Sequence, residues 1–285
     1  MSFLRLFQAR RWCGLLALLL SACGGGSLGV VPTITASTAR VSLETARWMP
    51  AADETYQIQY TGKLDLRIPA QIYDLDGFDT PASVVATLHS MHRRAICYID
   101  VGTWENWRLD AKKFPKSVLG EPVSGWPGEK WLDIRQMKIL APIMSKRFDL
   151  CKQKGFDGID PDNIDGYTND TGFTLTGAEQ LTYDTWVAKA AHARGLAVDQ
   201  KNDNSQVTRL AKVFDFAVLE QCYAQRWCNQ FAVYTKSNRL VVDVEYGLTK
   251  QQFLTKACAN AARYDETAIL KKLALDAWVV KCSKG

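Results

Sequence analysis

The chain has 285 residues, with 35 Lys+Arg against 30 Asp+Glu and a formal charge of +5. A hydrophobic share of 47% with 23% charged residues is globular composition and excludes a disordered chain. Three His nearly exclude a His-rich metal site, whereas nine Trp and eight Cys need explaining.

The N-terminus explains part of this. Arg5, Arg10 and Arg11 precede the apolar run 14–20, and Ser21-Ala22-Cys23-Gly24 follows. A basic flank, a short apolar core and small residues describe an export signal. The core is too short to span a bilayer, which takes ~20 residues. Leu20-Ser21-Ala22-Cys23 resembles a bacterial lipobox, so residues 1–22 read as a lipoprotein-type signal peptide and Cys23 as the lipidated first residue of the mature chain. The other reading is an ordinary signal cut near Ala22, giving a secreted protein. Either way the expectation is an exported protein, anchored to a membrane through Cys23 (periplasm or cell surface) if lipidated. Residues 23–50 begin Gly-rich and read as a flexible tether. Without the three leader arginines, 32 basic residues face 30 acidic ones and the charge falls to +2. No basic stripe remains, and nucleic-acid binding is set aside. Export also sorts the cysteines: Cys97, Cys151, Cys222, Cys228, Cys258 and Cys282 are disulfide candidates. Cys222 and Cys228 are close enough to staple one loop. Six Cys permit 15 pairings, and Cys258 with Cys282 and Cys97 with Cys151 are two further candidates among them.

Along residues 51–285, strand-like runs fall at 56–60, 71–76, 95–101, 156–162, 196–201, 214–220, 239–244 and 277–282. Helical periodicity marks 81–94, 133–154, 176–194, 205–213 and 250–264, with first and sixth helices poorly defined. Asp79-Thr80-Pro81 offers a helix cap followed by Pro, and Gly155 and Gly195 sit where C-terminal caps belong. Eight strands alternating with helices predict an α/β fold, a single (β/α)₈ TIM barrel. The competitor, a doubly wound open sheet, would carry a Gly-rich phosphate turn after its first strand, and Tyr60-Thr61-Gly62-Lys63 is not one.

In such barrels function lies at the C-terminal ends of the strands. Those ends carry Asp74 and Asp76, Asp100, Asp160 and Asp162, Glu220, and Asp243 and Glu245. Residues two apart on a strand share a face, so each close pair is expected to project together toward the mouth. Pro161 cannot donate to a ladder and marks the end of its strand, which places Asp162 at the lip. Glu220 ends an apolar run, and an apolar floor raises a carboxyl pKa, which suits a general acid. Carboxyls in contrasting environments are what glycoside hydrolysis requires. The loop 102–132 holds Trp104, Trp107, Trp126 and Trp131, aromatic faces suited to stacking on sugar rings or to packing the loop on the barrel. A loop this long without structure of its own is expected to be functional.

Three ordered stretches carry a family resemblance. Tyr98-Ile99-Asp100-Val101-Gly102-Thr103-Trp104-Glu105-Asn106-Trp107-Arg108, Gly125-Trp126-Pro127-Gly128-Glu129-Lys130-Trp131-Leu132-Asp133-Ile134 and Gly155-Phe156-Asp157-Gly158-Ile159-Asp160-Pro161-Asp162-Asn163, with Lys201-Asn202 and Leu219-Glu220-Gln221-Cys222, resemble glycoside hydrolase family 114. The likeness runs from about Tyr56 to Cys282. It implies a barrel enzyme of the endo-α-1,4-polygalactosaminidase kind, with the nucleophile in the fourth-strand acid stretch and Glu220 as acid/base. Asp162 is favoured as nucleophile, with Asp160 its neighbour. Lys201 and Asn202 would donate to substrate or orient a carboxylate. Asp74, Asp76, Tyr98, Trp104, Glu105, Trp126, Asp243 and Glu245 are the remaining expected substrate contacts. Thr103 and Asn106 depart from the family pattern, where a Ser and an acid are expected.

The expected substrate is a galactosamine-containing polysaccharide, whose ammonium groups would be drawn to an acidic groove. Cleavage is expected to be endo-acting and retaining. No cofactor or metal is expected, and the chain is expected to be a monomer. The rival from another class is a non-catalytic polysaccharide-binding surface lipoprotein on the same barrel. A second rival, an esterase or deacetylase, finds no Gly-x-Ser-x-Gly elbow in this sequence, and His89 with His92, at i and i+3, lack a third ligand.

Overall fold

The computed structural model describes residues 47–282. The signal peptide, Cys23 and most of the tether lie outside the described residues. Strands β1 (Tyr56–Gln59), β2 (Ile72–Asp76) and β3 (Arg94–Asp100) are followed by a small antiparallel sheet of β4 (Thr103–Glu105), β5 (Leu119–Pro122) and β6 (Glu129–Leu132), in the order β4-β6-β5. The main sheet continues with β7 (Gly158–Asp162), β8 (Ala197–Lys201), β9 (Phe216–Glu220), β10 (Val241–Glu245) and β11 (Thr267–Leu270), each parallel to its predecessor. These with β1–β3 make the eight strands of a (β/α)₈ barrel. β12 (Val280–Lys281) adds an antiparallel edge to β11.

Helices α1 (Ala82–Ser90), α2 (Met137–Lys154) and α3 (Gly177–His192) are long; α4 (Val207–Leu210), α5 (Cys222–Gln225) and α6 (Ala232–Thr235) are single turns. The last helical arm joins α7 (Lys250–Gln252) to α8 (Cys258–Tyr264) through a π-helical turn, Phe253–Ala257. Among the described residues no helix is long and apolar enough to cross a membrane.

Strand parity builds two cores. Ile58, Ile72, Ile96, Ala197, Phe216, Val218, Val242, Val244 and Ile269 fill the barrel, while Leu75, Cys97, Ile99, Ile159, Val198, Ala217, Leu219 and Val241 face the helices. Each fully buried Val, Leu, Ile or Phe contributes about 1.5–3 kcal/mol. Gly158 sits in the barrel wall because a Cβ there would lie 2.7 Å from Ile96 Cδ1 and 3.0 Å from the Ala197 carbonyl oxygen.

Four expectations change. The eighth barrel strand is Thr267–Leu270, and residues 277–282 instead contribute the antiparallel β12. The loop 102–132 is not structureless, since it folds into the β4-β6-β5 sheet. Helix α1 starts at Ala82 with no side-chain cap from Asp79 or Thr80, while Asp76 Oδ1 accepts from the Phe78 and Asp79 amides instead. Residues 47–50, expected within the tether, pack on the barrel: Arg47 pairs with Asp215 at 2.6 Å, and Pro50 O accepts from Leu240 N. Gly155, at φ +92, caps α2 as expected.

The six cysteines form three disulfides, Cys97–Cys151, Cys222–Cys228 and Cys258–Cys282. These fit an oxidising compartment. Cys222, Cys228 and Asp243 bring ligand-type atoms within 4.8 Å of one another, but both sulfurs are committed to a disulfide.

Candidate active site

The C-terminal ends of the strands open into a groove of about 510 Å³. On β7, Ile159 faces the helices, so Asp160 and Asp162 face the barrel interior. They meet different surroundings there. Asp160 is wholly buried below the floor, paired to Lys201 Nζ at 3.1 Å. Asp162, one layer higher, lines the groove, accepts from Tyr98 Oη at 2.8 Å and lies 3.4 Å from Lys201 Nζ. Strand β8 lies between β7 and β9, so Lys201 stands between Asp162 and the Glu220 that ends β9. Glu220 lines the same groove; Tyr246 Oη donates to its Oε1 at 3.0 Å, and its amide donates to Asn202 Oδ1 at 2.8 Å. Burial pushes the Glu220 carboxyl above the usual range, and the Asp162 charge adds to this while Lys201 and Tyr246 oppose it.

Gly102 lets the ends of β3 and β7 meet: a Cβ there would fall 1.7 Å from the Asn163 carbonyl oxygen. Asp100 is buried and serves that junction, accepting from the Gly102 and Thr103 amides, the Thr103 hydroxyl and Asn163 Nδ2. The β4-β6-β5 sheet forms one wall. Arg108 joins Asp76 (2.8 Å) to Glu105 (2.7 Å) along that wall, so both acids line the groove as ion-paired groups. Glu129 lines the wall with no ion pair among the described residues; burial lifts its pKa to about 7, reinforced by the charges of Glu105 and Asp162 and opposed by Thr103 and the nearby Arg108. Burial likewise lifts Asp165 to about 6, with Asp203 and Asp162 adding to it. Trp107 and Trp126, 53% and 52% exposed, offer free aromatic faces at the groove, whereas Trp131 is 6% exposed.

Of the expected contacts, Asp162, Glu220, Asp76, Tyr98, Glu105, Trp126, Lys201 and Asn202 are brought together around this groove. Five expected site residues do not reach it. Asp160 and Asp74 are buried beneath the floor, where Asp74 Oδ2 accepts from Tyr56 and Tyr60 at 2.9 and 3.0 Å. Asp243 and Glu245 point the other way: Val242 and Val244 hold the interior parity of β10, which turns both acids toward the helices. There they accept from the Cys222, Tyr223 and Ala224 amides and hold the loop after β9. Trp104 packs against the helix-side core and donates to the Ala111 carbonyl at 3.0 Å, so its indole is a packing element.

Tyr60, Tyr246, Arg108, Glu129 and Asp165 line the groove without having been anticipated as site residues, and Trp107, expected among the four loop indoles, lines it too. Tyr246 had a readable signal, since it continues the Val242–Val244 alternation one step beyond β10. His89 and His192 are engaged with Asp157 and Asp215 at 2.8 and 2.9 Å.

A barrel with two interior-facing acids at its mouth, one of them with its pKa raised by burial, together with open aromatic faces, has the parts of a carbohydrate-cleaving enzyme. The chain belongs to glycoside hydrolase family GH114, whose family model matches residues 37–285. It is a glycoside hydrolase. Among solved structures it is similar to Aspergillus fumigatus Ega3, determined in complex with galactosamine, at 36% identity and a TM-score of 0.79, covering 84% of this chain and 98% of that one. The glycoside hydrolase domain of PelA from Pseudomonas aeruginosa shares the fold at 12% identity and a TM-score of 0.64, covering 81% of this chain and 99% of that domain. No curated protein sequence matches the chain.

Proposed function

We propose that this enzyme cleaves α-1,4-linked galactosamine-containing polysaccharide internally, with Asp162 as nucleophile and Glu220 as acid/base. The observation that carries the reading is the placement of Asp162 and Glu220 in one groove on either side of Lys201. The likeness to a protein solved with galactosamine supports the sugar, and the acidic wall supports a cationic substrate.

Glu220, its pKa raised by burial, donates its proton to the leaving glycosidic oxygen as that bond breaks. Asp162 attacks the anomeric carbon from the opposite side and forms a glycosyl-enzyme ester. Glu220, now ionised, takes a proton from water, whose oxygen displaces Asp162 and restores both carboxyls with net retention. Tyr98 and Lys201 hold the Asp162 carboxylate in line, and Asn202 and Tyr246 hold Glu220. Trp107 and Trp126 supply stacking faces for flanking sugar units. The mature protein is further proposed to be an exported lipoprotein, tethered through Cys23 by residues 23–50.

Glu220→Gln keeps the shape of the side chain and removes the transferable proton. Reducing-end release from galactosamine polymer should fall at least about 10²-fold with an unchanged circular dichroism spectrum. Retained turnover would remove Glu220 from the mechanism. Polarimetry or NMR of the first-formed anomer reads retention directly.

A further inference from the structure

Beneath the groove floor lies a cluster that the mechanism above does not use. Asp74 on β2, Asp160 on β7 and Asp199 on β8 are each 0% exposed inside the barrel. They face Tyr56 of β1, Tyr60 just after it, Tyr98 of β3, Asp162 of β7, Lys201 of β8 and Glu220 of β9. Lys201 is the one cation among these groups, and its ammonium is shared between Asp160 and Asp162.

Proton counting constrains the cluster. Tyr60 Oη lies 3.0 Å from Asp74 Oδ2 and 3.0 Å from Asp160 Oδ2, yet a phenol carries one proton. With both carboxyls ionised, one of those contacts would set two acceptors against each other. Among the described residues, Asp74 Oδ1 and both oxygens of Asp199 are buried with no donor in reach, a setting that strongly disfavours an ionised carboxylate, whereas Asp160 has the Lys201 ammonium on Oδ2 and an Oδ1 open to a proton donor. Burial and the neighbouring Asp160 charge both push Asp74 and Asp199 well above the ordinary carboxyl range.

We propose that Asp74 and Asp199 are positioning residues, held as neutral carboxylic acids that flank Asp160 and leave it the sole anion below Lys201. Their protons complete the hydrogen bonding of Asp160. Lys201 then keeps the rest of its charge for Asp162, instead of being drawn down into three buried carboxylates. The role rests on the assignment of Asp162 given above, but the protonation state does not.

Infrared spectroscopy of the intact wild-type enzyme at pH 7 should show carbonyl bands of protonated carboxylic acids, and Asp74→Asn and Asp199→Asn should each remove intensity there. Absence of such bands in the wild type, or bands indifferent to both substitutions, would overturn the proposal with no substrate involved. Denaturant unfolding followed against pH is the second measurement. An acid whose folded pKa is raised makes stability fall as pH climbs from the unfolded value, near 4, toward the folded one. Each Asn variant should lose about one proton from that slope, and unchanged slopes count against the idea. Kinetics then read the positioning role: Asp199→Leu, which cannot donate, should lower kcat about tenfold or more with little change in KM, and Asp199→Asn, which can, should recover most of it. A folded Asn variant as impaired as Leu, or a Leu variant with normal kcat, overturns that role. If the wild type leaves galactosamine polymer uncut, the substrate reading fails, whereas the infrared and stability results still decide the protonation state.

Discussion

Glu129 stands on the groove wall with a pKa of about 7, between the charges of Glu105 and Asp162 and without a cation of its own. Arg108 neutralises Glu105 and Asp76, so Glu129 is left as a carboxyl that a substrate ammonium can complete. Binding such a group favours the ionised form, so the affinity for a cationic polymer should rise as pH climbs through 7. Glu129→Gln should raise KM by about three- to tenfold at pH 8, flatten its dependence on pH between 6 and 8, and leave kcat much less affected, all read from initial rates. A KM with unchanged pH dependence would remove Glu129 from substrate binding. The sign differs for Glu220, whose acid form is the working one. Its raised pKa keeps that form available, and the rate falls as pH rises through it.

At the scale of elements, the groove wall depends on how the β4-β6-β5 sheet is fixed to the barrel. Arg147 of α2, 2% exposed, pairs with Asp110 through two contacts of 2.9 Å, donates to the Asp100 carbonyl at 2.7 Å and lies against the Phe78 and Phe114 rings. Removing one partner leaves a buried guanidinium uncompensated. Asp110→Ala should therefore cost about 3–5 kcal/mol in denaturant unfolding. A cost below about 1 kcal/mol would mean that water reaches and solvates Arg147 in the variant. Much of this scale was legible beforehand. Seven of the eight barrel strands, the three long helices and the Gly155 cap followed from period and punctuation. The eighth strand did not: Thr267–Leu270 is four residues without turn signals, and the Trp- and Val-rich 277–282 outweighed it. Asp243 and Glu245 were misread for a parity reason. Val241, Val242 and Val244 put apolar residues on both faces of β10, and alternation alone could not say which face looked inward. On β7, by contrast, Ile159 fixed Asp160 and Asp162 inward, and Pro161 at the strand's end placed Asp162 nearer the mouth; that Asp160 lies wholly buried followed only from the packed barrel.

For the whole molecule, the proposed lipid on Cys23 would be joined by residues 24–46 to a barrel described from Arg47 onward. Cys23→Ser should move the protein from the membrane to the soluble fraction on fractionation without changing its rate on soluble polymer. Membrane retention of that variant would refute the anchor. The barrel itself is held by burial on two sides of one sheet, and its acids divide by depth. Those at the lip line the groove, those a layer below meet Lys201, and those turned outward hold loops. The near-neutral charge of the mature chain conceals this partition.

The Cys258–Cys282 bond ties α8 to the chain just after β12. The stretch that precedes β12 carries Leu273, Ala274 and Leu275, which border the groove, and the Leu275 carbonyl accepts from the Tyr60 and Thr61 amides. One side of the groove is thus a strap buckled by a disulfide, a bond that forms in an oxidising compartment. The proposed export would then be more than an address for this enzyme, since it supplies the conditions that fasten its last wall.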